Sequence, residues 1–323
     1  MDAQFLGRAG LIGDTGFVGS ELARQIPFAA TYNSRTIDRI AGEQFDTVIC
    51  AGAPATMWLA NAQPNADLDN LRRLTSALHD ATIGRLVLIS TIAVFADPTA
   101  GYTESNARYE TVKAYGRNRR ELELHVLERD GAAVLRLPAL FGKGLKKNFI
   151  FDILNPIPSF IKPEKFTQVC AGFTPAERQL ADAVFVFDAG TVMHKLNRPA
   201  LEATGKRREL EQAFERIGFL ARSFTNSDSE YQYYNLAYLA QDIATSLAHR
   251  IVVLNVCSQP WHAGDLYAAL VGGLFVNKNS PIVREDVRTE YAGAFARPGP
   301  YLYDRASVLR DLQAFVARGE CRC

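Results

Sequence analysis

The feature that most constrains this chain is a glycine turn near its start, Gly13-Asp14-Thr15-Gly16-Phe17-Val18-Gly19. It follows the apolar pair Leu11-Ile12 and precedes a stripe of Val18, Leu22 and Ile26 that Pro27 stops. That order predicts a strand, a turn and a helix, with the unpaired N–H groups of the helix amino terminus aimed at the strand's end. The first glycine permits a tight turn, the second lets a pyrophosphate approach the backbone, and the third lets helix and strand pack closely. A dinucleotide site is the expected result, a turn that merely requires glycine the alternative. The stretch Gly7 to Gly10 is glycine-rich for a first strand.

Beyond the turn, strand-like and helix-like segments alternate. Phe28 to Tyr32, Thr47 to Cys50, Leu86 to Ser90 and Ala133 to Leu137 are short apolar or β-branched runs, of the kind buried on both faces of a parallel sheet. Between them, Leu68, Leu71, Leu74 and Leu78 mark a helix opening in an acidic turn at Asp67 and Asp69. Tyr115 to Arg129 forms another, with Leu122 and Val126 on one face and Gly131 near its end. The repeated pattern predicts an α/β fold of the Rossmann type, a doubly wound parallel sheet.

From about Phe149 the pattern breaks at Asn155-Pro156-Ile157-Pro158 and Lys162-Pro163. Thr174-Pro175 reads as an N-cap and first helical residue, opening a helix expected to run to about Leu196. Lys206 to Arg216 is a charged, solvated helix, and Ile251 to Val256 returns to a strand pattern. The expected organisation is a dinucleotide-binding domain over 1–149 and a smaller substrate lobe over 150–323, with 231–256 returning to the sheet.

Composition removes several classes of partner. Lys plus Arg is 36 against 35 acids, a net charge of +1, which argues against nucleic acid or an anionic membrane as the dominant partner. No apolar run approaches the roughly 18 residues of a membrane span, and the start has no apolar signal core. The five cysteines, Cys50, Cys170, Cys257, Cys321 and Cys323, show no CxxC spacing, and His194, His249 and His262 have no metal-ligand spacing. A soluble cytoplasmic protein without a metal site is expected.

Longer motifs carry a resemblance. Asp46 to Ala53, Leu86 to Phe95, Tyr115-Gly116-Arg117-Asn118-Arg119 and Leu135 to Gly142 are similar to successive motifs of the short-chain dehydrogenase/reductase superfamily. The similarity is to its extended branch, which includes the NAD-dependent epimerases and dehydratases and the deoxysugar reductases. It covers Leu11 to about Asn148 and reaches Tyr231 to Asp242 and the carboxyl end. It implies that Gly13, Thr15, Gly16, Phe17, Val18 and Gly19 hold the cofactor phosphates. Ala51, Gly52 and Ala53, in what resembles the family's fourth strand, would admit its adenosine side, and Pro138 would line the nicotinamide. Where an acid would bind the ribose, the sequence has Asn33, Ser34 and Arg35. The planar fork of Arg35 suits a 2′-phosphate or an adenine ring, which leans the choice to NADP with NAD left open.

The resemblance also implies a catalytic set. Thr91 falls on the hydroxyl that bonds the substrate oxygen, Tyr115 on the general acid/base, and Arg119 on the position of the lysine that holds the cofactor ribose. Four residues along a helix place Tyr115 and Arg119 on one face. Arginine keeps a positive charge near the tyrosine but does not relay protons. Tyr109 and Lys113 form a second literal match to YxxxK, only eighteen residues after Thr91, and stay as an alternative. The Asp-Glu pair of the dehydratases is replaced by Ile92 and Ala93, which transfer no protons. Lys146, Lys147 and Asn148 stand where extended members bind the nucleotide-sugar diphosphate. The implied function is NAD(P)-dependent oxidoreduction at a carbonyl or alcohol of a nucleotide-linked or phosphorylated sugar. An epimerase with a tightly held cofactor, a non-catalytic dinucleotide-binding protein and a homodimeric assembly all remain open.

Overall fold

A computed structural model describes residues 3–319; Cys321 and Cys323 lie outside them. The chain forms two compact units. The first comprises Met1–Lys143, Glu230–Trp261 and Arg284–Asp311, and the second Gly144–Ser229, His262–Val283 and Leu312–Cys323.

The first unit is built on a six-stranded parallel sheet. Its strands β1 (Ala9–Ile12), β2 (Ala30–Tyr32), β3 (Gln44–Cys50), β4 (Thr82–Thr91) and β5 (Ala132–Leu137) are joined by a sixth, Val253–Asn255. Across the sheet the order is Val253–Asn255, β5, β4, β3, β1, β2. Because adjacent strand residues point to opposite faces, each apolar run feeds two cores. Leu11, Ile49, Val87, Leu135 and Leu254 pack with Leu22 of helix α1 (Phe17–Gln25) and Ile243 of the helix Leu239–Ala248. Ile12, Val48, Leu88 and Val134 pack with Leu71, Leu74 and Leu78, and with Leu122 and Val126. A short helix α2 (Met57–Ala62) precedes α3 (Pro64–His79), and α4 spans Ala114–Leu127. Helices on both faces of a parallel sheet make the fold doubly wound, and the strand order reverses around β1.

One connection is shorter than the resemblance implies. Between β2 and β3 lies the 3-10 turn Ile37–Ile40, whose two isoleucines are buried. The stretch resembling the family's fourth strand is therefore third in chain order. The few residues between Tyr32 and Gln44 leave no length for another strand with its crossover.

The carboxyl end of β4 and helix α4 meet at Glu123, which is fully buried. Its carboxylate accepts from Ser90 Oγ at 2.6 Å, from Arg136 Nε and Nη2 at 2.9 and 2.8 Å, and from Arg120 Nη1 at 2.8 Å.

The second unit has its own core, with Phe166, Leu180, Val184, Leu201, Leu210 and Phe214 at its centre. Thr174 caps its helix as expected, accepting from Glu177 N while the Glu177 carboxylate accepts from Thr174 N at 2.8 Å. That helix does not run to Leu196. It ends at Val184, and two antiparallel strands, Phe185–Asp188 and Met193–Leu196, follow. Aromatic and β-branched residues at 185–187 favour the extended form, and the Asp188 carboxylate accepts from Gly190 N at 2.9 Å to turn the chain.

Asp242, on the helix Leu239–Ala248, is 3% exposed, and its Oδ2 accepts from the hydroxyls of Tyr234 and Tyr303, both at 2.7 Å. Burial pushes its carboxyl up to about 6, against the two hydroxyl donors and Arg297, which pull it down. An unfolded carboxyl titrates near 4, so between about pH 4 and 6 the folded state binds the extra proton and loses stability as pH rises. Asp242→Asn keeps an acceptor for both tyrosines. Its unfolding free energy relative to wild type should rise by about 2 kcal/mol from pH 4 to 7 in urea titrations; a flat difference would contradict this.

Candidate functional site

The glycine turn is built as the residue types require. Gly13 has φ of +94°, and a Cβ there would lie 2.4 Å from the Ala51 carbonyl oxygen. At Gly19 a Cβ would lie 2.0 Å from the Gly13 oxygen, so α1 and the turn touch through backbone alone. Gly16 is the N-cap of α1 and brings no side chain to its amino terminus, leaving the first N–H groups for a ligand. Thr15 and Gly16 are exposed, and Phe17 and Val18 half-buried. A Cβ at Gly52 would meet the Ile12 side chain at 2.8 Å, and Ala51 to Ala53 present only small side chains beside the turn. This backbone cradle fits a dinucleotide's phosphates and adenosine.

The end of β2 and the loop after it are tied to the glycine turn through an acid of that turn. Asp14, inside the glycine turn, accepts from Thr31 Oγ1 at 2.9 Å and Asn33 Nδ2 at 3.2 Å. Asn33 Oδ1 in turn accepts from Arg35 N at 3.0 Å, and Arg35 and Ser34 are exposed. Arg73 of α3 donates to the Ser34 carbonyl at 3.1 Å and is paired with Asp38, so it ties the loop to α3. Neither Asp14 nor Arg73 stands out by spacing; only contact across the sheet edge reveals them.

Helix α4 carries the remaining groups. Asn61 of α2 accepts from Tyr115 N at 2.9 Å, fixing the start of the helix. Tyr115 is 8% exposed, and Thr91, at the end of β4, acts with Arg119 as a hydrogen-bonding neighbour of its hydroxyl. Burial pushes the Tyr115 hydroxyl up from the usual phenol range, Asp67 adds to that, and Arg119 and Thr91 pull it back only in part. The Arg119 guanidinium lies 4.4 Å from the centre of the Tyr115 ring. It is itself 3% exposed and paired with Asp67 of α3, with a further bond to the Pro54 carbonyl. Asn118 also donates to Asp67, at 3.0 Å.

Tyr109 and Lys113 do not make the alternative pair. They precede α4, in a non-helical segment where Tyr109 bridges Phe95. The Tyr109 ring stacks on Phe95 at 6.0 Å, with the Arg120 guanidinium 3.7 Å from its centre. Pro138 is buried directly after β5. Trp58 is 40% exposed and so is not the core side chain that its size suggests. Lys146, Lys147 and Asn148 belong to the second unit, where the lysines are exposed and Asn148 caps the helix Phe149–Leu154 by accepting from Phe151 N at 3.2 Å.

Comparison with known proteins adds the family. The sequence model of the NAD dependent epimerase/dehydratase family matches residues 25–196, more than half of the chain. The chain belongs to that family. It contains enzymes such as the UDP-sugar epimerases, and the match agrees with the expected superfamily and with the parallel sheet. No curated protein matches the chain. Solved structures of similar fold include RMD from Pseudomonas aeruginosa complexed with NADPH, at 17% identity and a TM-score of 0.60, with 98% of this chain and 100% of that one covered. Another is the UDP-N-acetylglucosamine 4-epimerase from Methanobrevibacter ruminantium M1 in complex with UDP-N-acetylmuramic acid, at 12% identity and TM-score 0.58, covering 96% and 97% of the two chains. A third, MoeE5 in complex with UDP-glucose and NAD, has 14% identity and a TM-score of 0.55 over 97% and 99%. Among the described residues no group of His, Cys, Asp and Glu could hold a metal, and no helix is long and apolar enough to cross a membrane.

Gly19→Ala tests the cradle. A methyl group 2.0 Å from the Gly13 oxygen forces the turn and α1 apart. Thermal unfolding should show a loss of about 1–3 kcal/mol, and titration with NADPH and NADH should show binding weakened at least tenfold.

Proposed function

We propose that this chain reduces a carbonyl on a nucleotide-linked or phosphorylated sugar, using NADPH, with Tyr115 as the proton donor. The observation that carries this reading is the state of Tyr115. It is 8% exposed on α4, with the Arg119 guanidinium 4.4 Å from its ring and Thr91 acting on its hydroxyl, and burial disfavours the phenolate, so the group rests protonated. A bound nicotinamide dinucleotide would supply the hydride. Thr91 orients the substrate oxygen, and Tyr115 gives that oxygen the proton it needs as the carbonyl becomes an alcohol. Epimerisation by oxidation and re-reduction would first require Tyr115 to accept a proton, which its burial opposes.

NADP is favoured over NAD by charge at the loop after β2, where the exposed Arg35 offers a guanidinium group to a 2′-phosphate. In support, the similar RMD structure is complexed with NADPH, and other similar structures are in complex with UDP-sugars. Lys146, Lys147 and Asn148 are our candidates for the substrate phosphates, through charge and amide hydrogen bonding.

Tyr115→Phe tests the mechanism. It should lower kcat about 10²- to 10⁴-fold while NADPH titration stays unchanged; unaltered turnover would sink the reading. Arg35→Ser tests the cofactor. It should weaken NADPH about tenfold and leave NADH nearly unaffected, the loss of one charge-assisted contact; equal weakening of both would point away from a 2′-phosphate contact.

A further inference from the structure

We propose that Asp67 is a positioning residue of this site: by holding Arg119 in a buried ion pair, it withholds that charge from Tyr115 and keeps Tyr115 a proton donor. This inference rests on the reductase reading above and gives it a cause in this chain's own residues.

The geometry supplies the argument. Arg119 and Asp67 are 3% and 5% exposed and joined directly. Two nitrogens of the guanidinium are committed, one to Asp67 and the other to the Pro54 carbonyl. Asn118 completes the clamp with bonds to Asp67 at 3.0 Å and to the Pro64 carbonyl at 3.4 Å. The carboxylate thus draws the guanidinium toward α3, although its carbon remains 4.4 Å from the tyrosine ring. An unpaired cation at that range would favour the phenolate strongly. With its counter-ion beside it the pair acts on Tyr115 as a dipole, and a dipole's field falls off faster than a charge's.

The charged groups that act on Tyr115 are Arg119 from its own helix and Asp67 from α3; Thr91, from β4, contributes only a neutral hydroxyl. A change at position 67 should therefore reach Tyr115 through Arg119. That link separates positioning from mere stability, because loss of packing alone does not move the titration of a tyrosine in a direction set by charge.

The experiment follows Tyr115 itself in the cofactor-free protein, by ¹³C NMR of Cζ-labelled tyrosine with the signal assigned by its absence in Tyr115→Phe. Asp67→Asn should lower the Tyr115 titration midpoint by about one pH unit or more. The alkaline limb of the kcat profile should move down with it. The charge-free double variant Asp67→Asn with Arg119→Gln should bring the midpoint back to the wild-type value or above. A folded Asp67→Asn protein whose Tyr115 titrates as in wild type would overturn the proposal.

An unpaired buried arginine can prevent folding. The same comparison is therefore made in an Arg119→Lys background, where the flexible stem lets the ammonium turn to other acceptors and keep its charge. There, adding Asp67→Asn should again lower the midpoint, and no change would overturn the proposal. A midpoint that moves as expected in protein without carbonyl-reducing activity would uphold the role of Asp67 and sink the reductase reading.

Discussion

Glu123 sets the register on which the first unit's chemistry depends. It is a carboxylate with no exposure to solvent, and it takes donors from β4, β5 and its own helix: Ser90, Arg136 and Arg120. A buried charge of this kind is tolerated only when its lone pairs are filled, and a helix displaced by one residue would leave both it and Arg136 unpaired. Tyr115, Arg119 and Glu123 are four residues apart, so they share one face of α4. Fixing the last of the three against the sheet fixes the first two over the end of β4, where Thr91 lies. At the helix start, Asn61 holds Tyr115 N, so the segment is tied at both ends.

The legible part of this architecture is the part governed by local rules. The glycine turn, the apolar strand runs and the i, i+4 stripes of α1, α3 and α4 depend on residue spacing within a few turns, and they fold as that spacing implies. The Thr174 cap was readable for the same reason, since a hydroxyl, a proline and Glu177 lie within four residues. The end of its helix was not. Val184 and Phe185 continue an apolar pattern compatible with either state, and pairing with Met193–Leu196, which no short window contains, decides for strand.

The same division runs through the candidate site. The spacing of Tyr115 and Arg119 is visible in the sequence, but the partner of Arg119 lies 52 positions away on another helix. Asp67 is visible only as an acid in the first turn of α3, where a favourable interaction with the helix dipole accounts for it fully. Likewise the carboxylate that Thr31 and Asn33 bond comes from Asp14 inside the glycine turn, seventeen residues before Thr31. Tyr109 and Lys113 satisfy the same one-dimensional pattern as Tyr115 and Arg119. What excludes them is that their segment is not helical, so four residues no longer mean one face.

The arginine at position 119 gains a physical reason from this. A lysine ammonium is a compact charge on a flexible stem, able to turn toward whichever anion or hydroxyl is nearest. A guanidinium is a planar fork whose donors reach two acceptors at once, here the Asp67 carboxylate and the Pro54 carbonyl. The fork therefore links α4 both to α3 and to the segment that follows β3, while its flat face remains over Tyr115. In this chain the position does structural and electrostatic work together: it fastens the helix that carries the tyrosine, and its counter-ion limits how far it can favour the tyrosine's deprotonated form. A site arranged in that way holds its tyrosine protonated at rest, the form from which a proton can be given.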